Sequence, residues 1–266
     1  MKKAVIILAI ILSLTSCGNS PESSESSISS NLTEGSKTDT TTFPDDAPQE
    51  FQSLVKVEGD RIIYYNIDDL FEASDIIVVG EFISDTCQNA SCQYNEAFKK
   101  PVLVDAVSYN TISVKKVIKG FPADTLSISQ SYGISNEGEL VSFSGLSPMR
   151  KGDDWLFFLS YDEDNDTYWC EGDYTGRYPL PDESLRMKAN EYRKIVSEYE
   201  NFCTEIYGDS SSYELTSDQQ KIVDEYISKL TRICESVSPE EMGLIDRENL
   251  NFKFALYSDL IYKYDI

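Results

Sequence analysis

Hydrophobic and polar residues divide this chain into four textures. Residues Ala4 to Leu12 form an unbroken apolar run behind Lys2 and Lys3. Residues 18–50 carry almost no apolar side chains and are dominated by Ser, Thr, Asp, Glu and Pro. From Leu54 onward, short β-branched and aromatic runs alternate with turn residues, the signature of closely spaced strands. From residue 184 the apolar positions recur at helical spacing.

In the strand region, Val55-Lys56-Val57 and Ile62-Ile63-Tyr64 flank Glu58-Gly59-Asp60, which predicts a hairpin. Asn66 is placed to cap a short helix through Leu70, Phe71 and Ala73. Asp75 to Phe82 reads as a buried strand, and residues 85–100 read as a loop holding Cys87 and Cys92. Further strands are predicted at Thr111–Ile118, Thr125–Ser131, Leu140–Phe143 and Trp155–Tyr161. A polar turn over Asp162–Asp166 leads to a return strand starting at Tyr168. Strands of this length and spacing predict an antiparallel barrel or sandwich.

In the helical region, Leu185, Ala189, Tyr192, Ile195, Val196, Tyr199, Phe202, Cys203 and Ile206 follow helical spacing, as do Ile222, Val223, Tyr226, Ile227, Leu230, Ile233, Cys234 and Val237. Thr216 with Gln219 forms a capping-box pattern, and Ser238-Pro239-Glu240-Glu241 forms another. The tail from Arg247 to Tyr264 is expected to be helical. Such amphipathic faces need a partner, so this half packs on the strands or on itself. The fold class expected is therefore α+β, with a small antiparallel barrel followed by an amphipathic helical region. The organisation expected is 1–16 leader, 17–50 tether, 51–181 strand domain and 182–266 helical region.

Charge and composition narrow the function classes. The chain has 23 Lys+Arg against 46 Asp+Glu, a net charge of −23, which disfavours nucleic acid and anionic headgroups as partners. It contains no histidine, which excludes Ser-His-Asp and Cys-His catalysis and His-ligated zinc. Any catalysis must use carboxylates, Tyr, Lys or Cys. The 18–50 segment cannot bury enough apolar surface to offset its ordering entropy. As a flexible coil it reaches roughly 30 Å.

Four sets of residues are candidates for chemistry. Cys87 and Cys92 are close in sequence and form the nearest disulfide pair. Cys170 is the better partner for Cys234, because Cys203 and Cys234 lie of order 20 Å apart along an antiparallel helix pair. The alternative is that Cys170, Cys203 and Cys234 are core thiols. Asp162, Asp164 and Asp166 alternate as in a calcium loop, although Thr167 replaces the turn glycine. Tyr168, Trp169, Tyr174 and Tyr178 form an aromatic cluster that can either bind a ligand or fill the junction between strands and helices. Among the acids near predicted turns are Asp153, Asp154, Glu171 and Asp173, and none is singled out as catalytic.

The start of the chain, Leu14-Thr15-Ser16-Cys17 after a basic and apolar lead, resembles the lipobox of bacterial lipoproteins. That resemblance implies cleavage before Cys17 and a diacylglyceryl anchor on its sulfur, facing the extracytoplasmic side of the cell membrane. The apolar run is shorter than the roughly 20 residues of a membrane span. The patterns ASDIIVVG (73–80), SVKKVIKG (113–120) and GDDWLFFL (152–159) resemble a group of bacterial exported proteins with an OB-like barrel. That barrel is similar to the N-terminal domain of tissue inhibitors of metalloproteinases. Those inhibitors chelate zinc through an N-terminal cysteine held by the barrel. Here Cys17 sits a long linker away, so only the fold carries over. The function expected is a lipid-anchored, non-enzymatic binding module for a protein or glycan, with no cofactor. The alternatives are a carboxylate-dependent hydrolase of cell-wall or extracellular polymer, and a structural envelope protein.

Overall fold

The computed structural model describes residues 54–57, 62–95, 99–135, 138–143, 145–207, 215–264 and 266. The leader, Cys17, the segment 18–50 and the turn Glu58-Gly59-Asp60 lie outside the described residues.

Nine strands are described: β1 (Leu54–Val57), β2 (Ile76–Asn95), β3 (Lys100–Lys119), β4 (Thr125–Gln130), β5 (Tyr132–Ile134), β6 (Leu140–Phe143), β7 (Asp154–Asp162), β8 (Thr167–Cys170) and β9 (Arg177–Pro179). Four helices accompany them: α1 (Ile67–Ala73), α2 (Glu183–Tyr207), α3 (Ser217–Glu235) and α4 (Leu250–Tyr264).

The main sheet closes on itself in the order β2-β3-β4-β8-β7 and back to β2, with β9 added beside β7. All its pairings are antiparallel except β4–β8, which is parallel, so the all-antiparallel expectation fails at that one seam. Closure is possible because β2 carries several register shifts, and such irregularities bend a strand. Its first six residues, Ile76–Glu81, can then pair with β7 while Ile77–Asn95 pairs with β3.

Strand alternation sorts the side chains into two cores. Ile76, Val78, Phe82, Ile112, Ile128, Trp155, Phe157 and Leu159 pack together inside the ring. Their neighbours Ile77, Val79, Leu156 and Phe158 point outward, into a second core shared with the helices. Strand β7 is therefore apolar on both faces, as its unbroken WLFFL run requires. Inside the ring, a Cβ on Gly80 would stand 2.9 Å from Ile112 Cδ1, so the glycine leaves room for that side chain.

The helices begin where their caps predict. Asn66 Oδ1 accepts the Asp69 N–H at 2.8 Å. Thr216 and Gln219 exchange hydrogen bonds at 2.8 and 3.3 Å ahead of α3. Ser238 and Glu241 do the same at 2.7 and 3.1 Å around a short 3-10 turn, Glu240–Met242. The expected terminal helix is α4; ten of its fifteen residues are buried, and α2 packs on both α3 and α4.

Two local expectations are overturned. Val55–Val57 does not turn back on Ile62–Tyr64; β1 pairs in parallel with β6, and Ile63 and Tyr64 pack on the helical core instead. Residues 85–95 are strand rather than loop, continuing β2 along β3. This places Cys87 and Cys92 five positions apart on one strand, about 16 Å at ~3.3 Å per residue, whereas a disulfide spans at most about 7 Å. Their side chains lie outside the described residues. The Cys170–Cys234 pairing is not formed: both are free, buried thiols. Cys170 belongs to the core inside the ring and Cys234 to the core under the helices, so strand β8 separates them.

Candidate functional site

Alternation along β7 and β8 also builds an outer face. Leu159 and Cys170, a register pair, point into the ring. The next pair, Ser160 and Trp169, therefore points out. Trp169 is also in register with Ser129 on β4, which is opposite Tyr109 on β3. One row, Tyr109–Ser129–Trp169–Ser160, thus crosses four strands. Two further rows beside it, Thr111 with Ser127 and Ser113 with Thr125, extend the same hydroxyl-bearing face.

Glu171 completes the patch. Its Oε2 accepts the Ser160 hydroxyl at 2.5 Å and its Oε1 accepts the Tyr64 hydroxyl at 2.5 Å. Burial and the hydrogen bond to Glu171 push the Tyr64 phenol up to about 12. Gly172 holds this turn with a φ of +71°, and a Cβ there would stand 2.9 Å from the Tyr64 ring. Glu171 is 4% exposed, so its carboxylate lies at the base of the patch while Trp169, at 37%, forms the platform beside it. A flat indole beside a row of hydroxyls suits a ligand rich in hydroxyl groups, and the buried Glu171 carboxylate fixes Ser160 and Tyr64 at its edge.

The structure separates the four predicted aromatic residues. Trp169 faces out. Tyr168 is half-buried against the interior of the ring and lies 5.2 Å from the exposed Tyr161 ring. Tyr174 and Tyr178 are core residues, contacting Phe252 and stacking on Tyr257 respectively. Aromatic filling of the strand–helix junction thus accounts for two of the four.

Asp162, Asp164 and Asp166 build a hairpin turn rather than a cation site. Asp162 accepts the Asp164 N–H at 3.1 Å and the Asn165 side-chain amide at 2.8 Å. The Asn165 amide holds the Asp162 carboxyl below its ordinary range. Asp166 accepts the Tyr161 hydroxyl at 2.7 Å from a left-handed φ of +50°. Among the described residues no group of three or more His, Cys, Asp or Glu is placed to hold a metal ion.

One polar constellation lies inside the molecule. Arg177, fully buried, donates from Nη1 to Gln130 Oε1 at 2.6 Å and from Nη2 to the carbonyls of Ser147 and Gly243 at 2.7 and 3.3 Å. Gln130 in turn donates to Asn110 at 2.6 Å, and Asn110 donates to Asp85 and, at 3.3 Å, to the Tyr132 hydroxyl. Burial lowers the affinity of Arg177 for its proton, but a guanidinium stays charged. Its partners reach from strand β4 to the 3-10 turn before α4, so it ties the ring to the helical layer.

Sequence reasoning did not single out Tyr64 or Ser160 and gave Glu171 no role. Strand alternation could have set Trp169 and Glu171 on one face; nothing local links either to Tyr64. Comparison with protein-family models, curated proteins and solved structures finds no match to this chain.

Proposed function

We propose that this chain is a lipid-tethered, extracytoplasmic binding module that holds a neutral glycan on the outer face of β3-β4-β8-β7. The carrying observation is the exposed Trp169 between Ser129 and Ser160, with Glu171 oriented beside it by Ser160 and Tyr64. An indole face packs on the C–H face of a sugar ring, and the Ser and Thr hydroxyls of the face meet its hydroxyls. The net charge of −23 favours neutral over acidic glycans. The ring's strand order, with β4 and β8 (its third and fifth strands along the chain) parallel, supports reading it as a small OB-like barrel. Faces of that architecture bind extended polymers. The lipid anchor rests on Leu14-Thr15-Ser16-Cys17 and places the module outside the membrane.

Affinity electrophoresis of the full chain in detergent, through gels cast with xylan, β-glucan or soluble chitin, tests the glycan reading. Retardation by one of them that weakens about tenfold in Trp169→Ala supports it. Mobility unchanged in every polysaccharide overturns it. Labelling of wild type but not Cys17→Ser by an alkyne fatty acid tests the anchor.

A second reading, a carboxylate-dependent hydrolase of cell-wall or extracellular polymer, has one observation in its favour. Glu171 binds the Ser160 side chain and Asp75 binds the Tyr161 N–H at 2.9 Å, so two acids bracket adjacent residues. Glycan turnover abolished by Glu171→Gln, with binding retained, would raise it above the first.

A further inference from the structure

The most unusual side chain in the core is an amine. Lys253 lies in the first turns of α4 and has 0% exposure. Its Nζ is within hydrogen-bonding reach of no acceptor and sits 5.5 Å from the centroid of the Tyr178 ring. The surroundings are aromatic: Phe252 meets Tyr174, Phe254 meets Tyr192, and Tyr257 stacks on Tyr178.

The charged and titratable groups that act on this amine come from the segment beneath it: Arg177 from β9, Cys170 from β8 and Asp173 from the intervening 3-10 turn. Arg177 is itself a fully buried cation. A second, unsolvated positive charge beside it is strongly unfavourable, so α4 docks with Lys253 neutral. Burial first, and Arg177 second, push the amine well below the ordinary lysine range, with Cys170 and Asp173 opposing in part.

We propose that Lys253 makes the docking of α4 on the strand ring proton-sensitive, so that acidification loosens the helix. An undocked α4 exposes Lys253 to water and lets it charge at its ordinary value near 10.4. Between that value and the depressed docked value, the undocked form binds one more proton than the docked form. Docking is strongest above the ordinary lysine range and weakens about tenfold for each pH unit of fall through this window. Undocking also uncovers Tyr174 and Tyr178. The segment beneath α4 carries Glu171, so the device reaches the outer face; its test does not require that face to bind anything.

Other groups on α4 and on the elements around it respond differently. Asp259, beside Arg193, has its carboxyl raised by burial and acts in the opposite direction. The Asp68 carboxylate, which holds Lys263, is lowered chiefly by the hydrogen bond from that lysine and titrates in acid. The Cys170 thiol, pushed up to about 12, stays protonated throughout. A range of roughly pH 6.5–9 therefore isolates the amine from ordinary carboxylates.

Hydrogen exchange of the full chain across that range, corrected for the chemical rate, reads the equilibrium peptide by peptide. Protection over 250–264 should rise with pH by up to tenfold per unit relative to the β7 peptide 154–159. In Lys253→Met it should be flat and higher than wild type at the lower end. A flat wild-type profile overturns the proposal without reference to any variant. Equal slopes in wild type and Lys253→Met also overturn it, by assigning the effect to another group.

Discussion

The guanidinium of Arg177 lies 4.6 Å above the ring of Trp155 while it donates to Gln130, Ser147 and Gly243. A cation stacked on an indole and bonded to three acceptors cannot be replaced by an apolar side chain without stranding those acceptors. Arg177→Met should lower unfolding free energy by about 3–5 kcal/mol. Arg177→Lys should recover only part of it, because an ammonium cannot copy the planar fork. Urea unfolding followed by tryptophan fluorescence measures both.

Gly243 supplies a second test of the same joint. Its φ is +68°, and a Cβ would stand 2.9 Å from both Arg177 Nη2 and the Trp155 ring. Gly152 has a φ of +84° but open space around a Cβ. Gly152→Ala should therefore cost only the backbone strain, about 1–2 kcal/mol, and Gly243→Ala should cost about 1–3 kcal/mol beyond that. Thermal melts of the two variants give the difference; equal losses would show that the joint yields to the added carbon.

Tyr64 and Glu171, 107 residues apart, meet at the edge of the Trp169 face. Tyr64→Phe leaves one carboxylate oxygen without that donor and should cost about 1–2 kcal/mol. Because the phenol titrates at about 12 in the folded chain, its contribution is complete below the ordinary tyrosine value and is lost as pH rises through about 12. A spectrophotometric titration should show one fewer tyrosine ionising near that value in Tyr64→Phe.

The thiols of Cys170 and Cys234 are both pushed up to about 12 by burial, and Cys203 is raised for the same reason. All three should resist iodoacetamide at neutral pH in the folded chain and react fully in denaturant. Mass spectrometry of alkylated protein counts them directly; rapid labelling of any of the three in the native state would contradict the packing.

Local signals carried much of the architecture. Asn66 and Thr216 cap helices because their partners lie three residues away. The WLFFL run of β7 needs apolar cover on two sides wherever it lies in a fold. Residues 85–95 carry no such local signal: Cys, Gln, Asn and Ser have weak strand preference, and β3, a partner from the next segment, extends β2 through them. The hairpin expected at 55–64 failed because β1 found a partner at β6, more than eighty positions on.

By itself, then, the sequence determined the alternation and helical periods, the caps, the acidic charge and the absence of imidazole chemistry. The tertiary structure alone decided which of Tyr168, Trp169, Tyr174 and Tyr178 meets solvent, that Tyr64 and Ser160 converge on Glu171, and that Lys253 and Arg177 share one buried neighbourhood. The reason is physical. A period or a cap is complete within a few residues, whereas the burial of a charge and the convergence of side chains depend on which distant segments close over them.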